Sequence, residues 1–228
     1  MNDQAPNVLI LGIGNLLWAD EGFGVRAVEE LHRTYAFEDN VRIMDGGTQG
    51  IYLVQYIRDA DILVVFDAVD YGLAPATMKL VEGDEVPKFL GAKKISLHQT
   101  GFQEVLAMAE MMGEYPAHLL LIGVQPEELE DYGGSLRPSV RAQIGPAIAA
   151  AVDYLAVHGV IAAKRDTPLG EDDTIASLEM TPGRYEGGRP GEGEAFRHGD
   201  MRVLSGNAWR GPEDFDAEME RLVKGRAD

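Results

Sequence analysis

The chain of 228 residues contains no cysteine. Disulfide bonds, thiolate metal sites and cysteine nucleophiles are therefore excluded. Basic residues are also scarce, since 20 Lys and Arg against 38 Asp and Glu give a net charge of −18 at pH 7. Nucleic acids and anionic membrane surfaces attract basic proteins, so we do not expect either as a partner. The charge is compatible with a cation or a basic protein partner, and equally with general solubility.

Long hydrophobic runs are missing as well. No apolar segment approaches the ~20 residues that a membrane-spanning helix requires. The first residues, MNDQAPN, have no basic region followed by an apolar run, which is the pattern of a signal peptide. We therefore expect a cytoplasmic protein. The metalloprotease motif H-E-x-x-H and the nucleophile motif G-x-S-x-G are also absent from the sequence.

Apolar runs alternate with segments of helical periodicity along most of the chain. The expected strands cover residues 8–14, 41–47, 61–70, 77–83 and 118–126, and the expected helices cover residues 23–35, 50–59, 100–113 and 139–159. This alternation predicts an α/β three-layer sandwich, with a mostly parallel twisted sheet of about five strands and helices on both faces. Only residues 71–76 separate two of the strands. A parallel crossover needs more residues, so the strand at 77–83 is expected to lie antiparallel at an edge.

The composition changes near Lys164. Residues 165–228 hold 10 of the 27 glycines, include the segment TPGRYEGGRPGEGE and lose the apolar periodicity. We therefore expect an α/β domain over residues 1–164. An acidic, Gly/Pro-rich and largely disordered tail is expected over residues 165–228.

The stretch GIGNLLWADEGFGV at residues 12–25 begins like a phosphate-binding glycine loop. However, Leu17 stands where a dinucleotide fingerprint needs its third glycine, and no Gly-Lys-Ser or Gly-Lys-Thr follows. Asp20 and Glu21 would also repel a phosphate at the start of the next helix. The glycines therefore indicate a tight turn above the sheet, and Asp20 is the expected N-cap of the helix.

Polar residues follow the carboxyl ends of the expected strands, where ligand sites form in parallel sheets. Glu21, Asp67 and His98 are the main candidates, and Asp45 is a fourth. Taken singly, each has a structural explanation: favourable charge at a helix N-terminus, a strand-end turn, a hydrogen-bonded loop or a braced glycine turn. Taken together, two carboxylates and an imidazole at one edge form a mixed oxygen and nitrogen site. Such a site suits a divalent ion such as nickel or zinc.

Five segments carry a more specific signal. GIGNLLWADEGFGVRAVEEL, DGGTQG, FDAVD, ISLHQTGFQEVL and LLLIGVQP occur in this order within residues 7–160. They resemble the nickel–iron hydrogenase maturation endopeptidases in order and spacing. The resemblance implies an enzyme that removes a C-terminal extension from the hydrogenase large-subunit precursor after nickel insertion. The tail lies outside the resemblance.

The resemblance also implies roles for individual residues. The family's metal-binding acidic residue, strand-end aspartate and histidine correspond to Glu21, Asp67 and His98, which are the expected metal-binding and catalytic residues. The segment at residues 45–48, which begins with Asp45, is expected to border the cleft. Nickel is expected to come mainly from the precursor, and other divalent ions can substitute. Asp67 is the candidate general base. The expected partner is the precursor, and we expect a monomer.

Two other functions stay open at this point. A metallochaperone or docking module would bind the nickel-containing precursor with the same three residues and would not cut it. An unrelated hydrolase with a similar sandwich, such as a peptidyl-tRNA hydrolase, is a second alternative. The net charge of −18 argues against an RNA substrate. A fold alone does not separate these functions.

Overall fold

The computed structural model describes residues 5–90 and 97–188, and within these ranges it does not describe the side chains of residues 88–90 and 97–101. The strands are β1 Val8–Ile13, β2 Tyr35–Ala36, β3 Val41–Gly47, β4 Ile62–Ala68, β5 Met78–Glu82, β6 His118–Val124 and β7 Ala163–Lys164. The helices are α1 Phe23–Thr34, α2 Val54–Arg58, α3 Glu85–Leu90, α4 Leu97–Met111, α5 Pro138–Arg141, α6 Ile144–Val157 and α7 Pro182–Gly187. Short 3-10 turns cover Ala19–Gly22, Gly50–Leu53 and Leu178–Met180. No helix in the described part of the chain is long and apolar enough to cross a bilayer.

Within the described residues, the main sheet has five strands in the order β3-β1-β4-β6-β5. β1 runs parallel to β3 and β4, and β4 runs parallel to β6. β5 pairs antiparallel with β6 at the edge, which confirms the edge strand expected from the short connection before it. A separate antiparallel pair of β2 and β7, which the sequence did not predict, joins the end of α1 to the segment after α6.

Helices cover both faces of this sheet, so the predicted three-layer α/β sandwich is confirmed. Alternate strand residues such as Ile10, Val64 and Ile122 pack in one core cluster with residues of α1 and α6. The residues between them, such as Leu11 and Leu121, pack in a second cluster with residues of α2 and α4. The central strands are buried on both faces, which explains why they read as continuous apolar runs.

The last expected helix is divided in two. The sequence predicts one helix over residues 139–159 with a kink at Gly145-Pro146, and the structure has α5 and α6 with a break between them. Pro146 then lies in the first turn of α6, where a missing backbone N–H costs little because that N–H has no partner within the helix. Gly159 has a φ of +78°, as expected for the glycine that ends this helix.

The segment after Lys164 contacts the α/β domain in the structure. The Arg165 backbone N–H donates to the Thr34 carbonyl at 2.9 Å, and the Arg26 guanidinium donates to the Met180 carbonyl at 2.6 Å. The described part of the segment after Lys164, up to residue 188, therefore contacts the α/β domain. Backbone carbonyls accept these hydrogen bonds. Such contacts do not require apolar residues at regular spacing, so the sequence pattern does not reveal them. The rest of the predicted tail lies outside the described residues.

Candidate active site

The chain leaves β1 and β4 on opposite faces of the sheet. α1 follows β1 on one face, and α4, which leads from β4 to β6, lies on the other. Because β1 and β4 are neighbours, this topology predicts a crevice between their carboxyl ends, which is the usual ligand position in such sheets. Glu21 follows β1 and Asp67 lies near the end of β4. The structure therefore places two of the predicted residues at this crevice.

Glycines allow the segment that carries Glu21 to lie against the sheet. Gly14 has a φ of +137°, and a Cβ on it would lie 1.8 Å from the Glu21 carbonyl oxygen. A Cβ on Gly24 would lie 2.2 Å from the Phe66 carbonyl oxygen. The 3-10 turn Ala19–Gly22 can therefore contact β4, with Glu21 partly exposed. The loop therefore places the Glu21 carboxylate after β1, close to β4.

Asp20 has a different role from the predicted one. The N-cap of α1 is Gly22, so the expectation that Asp20 caps this helix is wrong. The Asp20 carboxylate is fully buried. It accepts the backbone N–H groups of Glu127 and Glu128, both at 2.9 Å, and that of Arg137 at 2.7 Å. Asp20 therefore joins the loop after β6 to the turn that carries Glu21. Three distant N–H groups, rather than those of α1, donate the charge-assisted hydrogen bonds to its carboxylate.

Further contacts hold the same two loops together. The Gly133 N–H donates to the Leu17 carbonyl at 2.7 Å, and the Trp18 and Tyr132 rings meet edge to face at 5.2 Å. One wall of the crevice is therefore held by backbone and aromatic contacts as well as by the buried carboxylate.

Asp67 lies in a buried environment beside a tyrosine. Its exposed fraction is 3%, and that of Tyr71 is 7%. Burial, with the nearby charge of Asp67, raises the pKa of Tyr71 well above its ordinary value, so the phenol keeps its proton. Sequence reasoning missed Tyr71, and the only available signal was its position four residues after Asp67.

Gln125 holds the chain as it turns back after β4. Its Oε1 accepts the N–H groups of Tyr71 at 2.7 Å and Leu73 at 3.1 Å. Its Nε2 donates to Asp70 Oδ1 at 3.0 Å. This buried amide therefore gives the loop that carries Tyr71 a defined conformation. The sequence offers no local pattern that would have identified it.

Asp45 lies at the same edge but on the other face of the sheet. Strand alternation places Asp45 on the same face as Ile43, which packs against the core under α1. Asp67 stands between Phe66 and Ala68, which face that core, so Asp67 itself faces the opposite side of the sheet. Burial raises the pKa of Asp45, and the Gly47 N–H only partly opposes the shift. Asp45 therefore does not share a face with Asp67.

His98 is the second residue of α4. The end of α4 connects through residues 112–117 to the start of β6, so the first turn of α4 lies toward the carboxyl edge of the sheet. The side chain of His98 lies outside the described residues. Among the side chains that the structure describes, no group of three His, Cys, Asp or Glu could hold a metal ion. The three-residue metal site therefore stays a prediction.

These observations define an α/β protein with two carboxylates, Glu21 and Asp67, near the carboxyl ends of adjacent central strands. A family model described as hydrogenase maturation protease (HycI) matches residues 25–154. The hydrogenase expression/formation protein HoxM of Azotobacter vinelandii is 65% identical over 200 residues, which cover 88% of this chain and 95% of that protein. The hydrogenase expression/formation protein HupD of Thiocapsa roseopersicina is 62% identical over 200 residues, which cover 88% of this chain and 90% of that protein.

Solved structures agree with these similarities. The hydrogenase maturating endopeptidase HybD from E. coli superposes with a TM-score of 0.67 at 41% identity, covering 70% of this chain and 98% of that one. The chain therefore belongs to the hydrogenase maturation protease family, which implies peptidase activity. The family resemblance seen in the five sequence segments is confirmed.

Proposed function

We propose that this protein is an endopeptidase that removes the C-terminal extension of a nickel–iron hydrogenase large-subunit precursor after nickel insertion. The observation that carries the proposal is the family membership, together with Glu21 and Asp67 at one crevice. Nickel belongs to the substrate in this proposal. Glu21, Asp67 and His98 recognise the nickel that the precursor already holds, since oxygen and imidazole ligands suit this ion.

The chemistry assigned to these residues is peptide hydrolysis. Recognition of the precursor's nickel holds the scissile peptide beside Asp67, which supplies the positioning that bond cleavage requires. Asp67, as the general base, takes a proton from water while the water oxygen bonds to the carbonyl carbon. The carbon–nitrogen bond then breaks and the proton passes to the leaving amine. Asp67 is 3% exposed, so few competing waters reach it.

Nickel recognition is tested by offering the protein the same precursor with and without nickel. We expect the nickel-loaded precursor to lose a C-terminal peptide, measured as a decrease in intact mass, and the nickel-free precursor to stay uncut. Equal cleavage rates on both would refute nickel recognition while leaving peptidase activity in place. A stable complex with no mass loss would instead favour the alternative of a docking module that does not cleave.

A further inference from the structure

Three residues form one row across the sheet beside the candidate site. Lys79 on β5 pairs with Gly123 on β6, and Gly123 pairs with Asp67 on β4. Cross-strand partners project from the same face, so the row places an ammonium group and a carboxylate on either side of a glycine. The glycine leaves the middle of the row without a side chain of its own.

Tyr71 occupies this middle position. A Cβ on Gly123 would lie 1.8 Å from the Tyr71 phenol oxygen and 2.7 Å from the ring carbon that carries it. The phenol oxygen therefore lies at the Gly123 position of the row, between Lys79 on one side and Asp67 on the other. The charge of Asp67 acts on the phenol, which agrees with this geometry. Gly123 therefore makes room for the phenol beside Asp67.

Two independent contacts hold the tyrosine in place. Its backbone N–H donates to Gln125 Oε1 at 2.7 Å. The Lys79 ammonium lies 5.4 Å from the ring centroid, within the range of a cation–π contact. An apolar ring would fill the same space, so the buried hydroxyl serves something other than packing.

We propose that Tyr71 is a positioning residue for Asp67. The phenol, placed over Gly123 by Gln125 and Lys79, sets the orientation of the Asp67 carboxylate toward the scissile peptide. When substrate is bound, the phenol O–H can donate to one carboxylate oxygen and leave the other oxygen for the substrate. This inference rests on the proposed peptidase function and names a residue that serves it.

The first test removes only the hydroxyl. For Tyr71→Phe acting on nickel-loaded precursor, we expect kcat to fall about 10- to 100-fold, the usual cost of losing a residue that orients a ligand. KM should change by less than about twofold, because no group that contacts the substrate is removed. Tyr115→Phe is the matched control. The Tyr115 hydroxyl is also buried, but it lies in the loop before β6 at the opposite end of the sheet, so kcat should stay unchanged.

A second variant displaces the phenol without altering its chemistry. Gly123→Ala puts a methyl group where the Tyr71 oxygen lies, and we expect a similar loss of kcat. Gly145→Ala is its control, because a Cβ there meets nothing within 4 Å. The loss of kcat in the double variant Tyr71→Phe/Gly123→Ala should be smaller than the product of the two single losses, since both substitutions remove the same contact. Thermal unfolding of each variant shows whether it is folded.

The outcomes separate this inference from the proposed function. If the unmodified protein cleaves the precursor and Tyr71→Phe keeps its kcat, the positioning role is overturned and the peptidase assignment stands. A rise in KM with kcat unchanged would also overturn it, because that pattern indicates a substrate-binding surface. Failure of the unmodified protein to cleave nickel-loaded precursor would overturn both.

Discussion

Asp20 and Glu21 are adjacent in the sequence, yet their carboxylates have different surroundings. Asp20 is fully buried and accepts three backbone N–H groups, whereas Glu21 is partly exposed at the crevice. A buried carboxylate is stable only when such donors satisfy it. At the residue scale, one acid therefore builds the loop, while its neighbour lies partly exposed after β1.

Asp20→Ala should destabilise the protein. It removes the acceptor of three charge-assisted hydrogen bonds and leaves three buried N–H groups, so we expect the free energy of unfolding to fall by about 3–5 kcal/mol. Urea denaturation measures this change. Asp39→Ala, at an exposed position, is the control and should change the value by less than about 0.5 kcal/mol. A loss below about 1 kcal/mol for Asp20→Ala would contradict the assigned role.

His98→Ala tests the predicted histidine. If His98 recognises the nickel of the precursor, cleavage should fall about 100-fold or more while the melting temperature stays close to that of the unmodified protein. His32→Ala, on α1, removes a histidine that no motif assigns to the site, and it should cleave normally. Normal cleavage by His98→Ala would show that this ligand assignment is wrong.

At the scale of elements, the start of α1 is the part of the fold that brings the site together. Gly14 and Gly24 allow the turn before α1 to contact both β1 and β4 without collision. Larger residues at either position would push the turn away from the sheet. The position of Glu21 therefore depends on the close packing of a helix start against two strands.

Comparing Gly14→Ala with Gly83→Ala should separate the effect of a steric collision from the effect of a positive φ alone. The new Cβ would lie 1.8 Å from the Glu21 carbonyl oxygen, so the turn must move and precursor cleavage should be lost. We expect the unfolding free energy to fall by about 2 kcal/mol or more. Gly83→Ala also requires a positive φ, here +53°, but nothing lies within 4 Å of its Cβ. It should cost about 1 kcal/mol and leave cleavage intact, and equal losses in both variants would contradict the collision.

At the scale of the whole molecule, the two ends of the sheet have different chemistry. The carboxyl end carries Glu21 and Asp67. Near the amino end, the ring of His118 at the start of β6 contacts the ring of His158 after α6 at a tilt of 37°, with ring centroids 4.1 Å apart. Burial, followed by the charge of His118, lowers the pKa of His158, while Glu82 opposes the shift.

This shift predicts a dependence of stability on pH. The folded state disfavours protonated His158, so the unfolded chain binds this proton more readily and stability decreases as the pH falls below about 6.5. Burial lowers the pKa of His32 as well, which acts in the same direction. Urea denaturation at about pH 7.5 and about pH 5.5 should give a lower unfolding free energy at the lower pH. The double variant His158→Gln/His32→Gln should reduce this difference, and an unchanged difference would contradict the assignment.

The sequence by itself determined the layers, the order of strands and helices, the antiparallel edge strand and the placement of Glu21 and Asp67 near one edge. These features follow from the burial pattern within each element and from the length of the connections between them. Both are local properties, and local patterns can be read from adjacent residues.

Only the tertiary structure decided what Asp20, Tyr71 and the segment after Lys164 do. Asp20 bonds to N–H groups more than 100 residues away, and Tyr71 fills a space above Gly123. The segment after Lys164 attaches through backbone carbonyls and the Arg26 side chain of α1. Contacts between distant residues and contacts with backbone atoms impose no periodicity on the chain, and for that physical reason they appear only once the chain is folded.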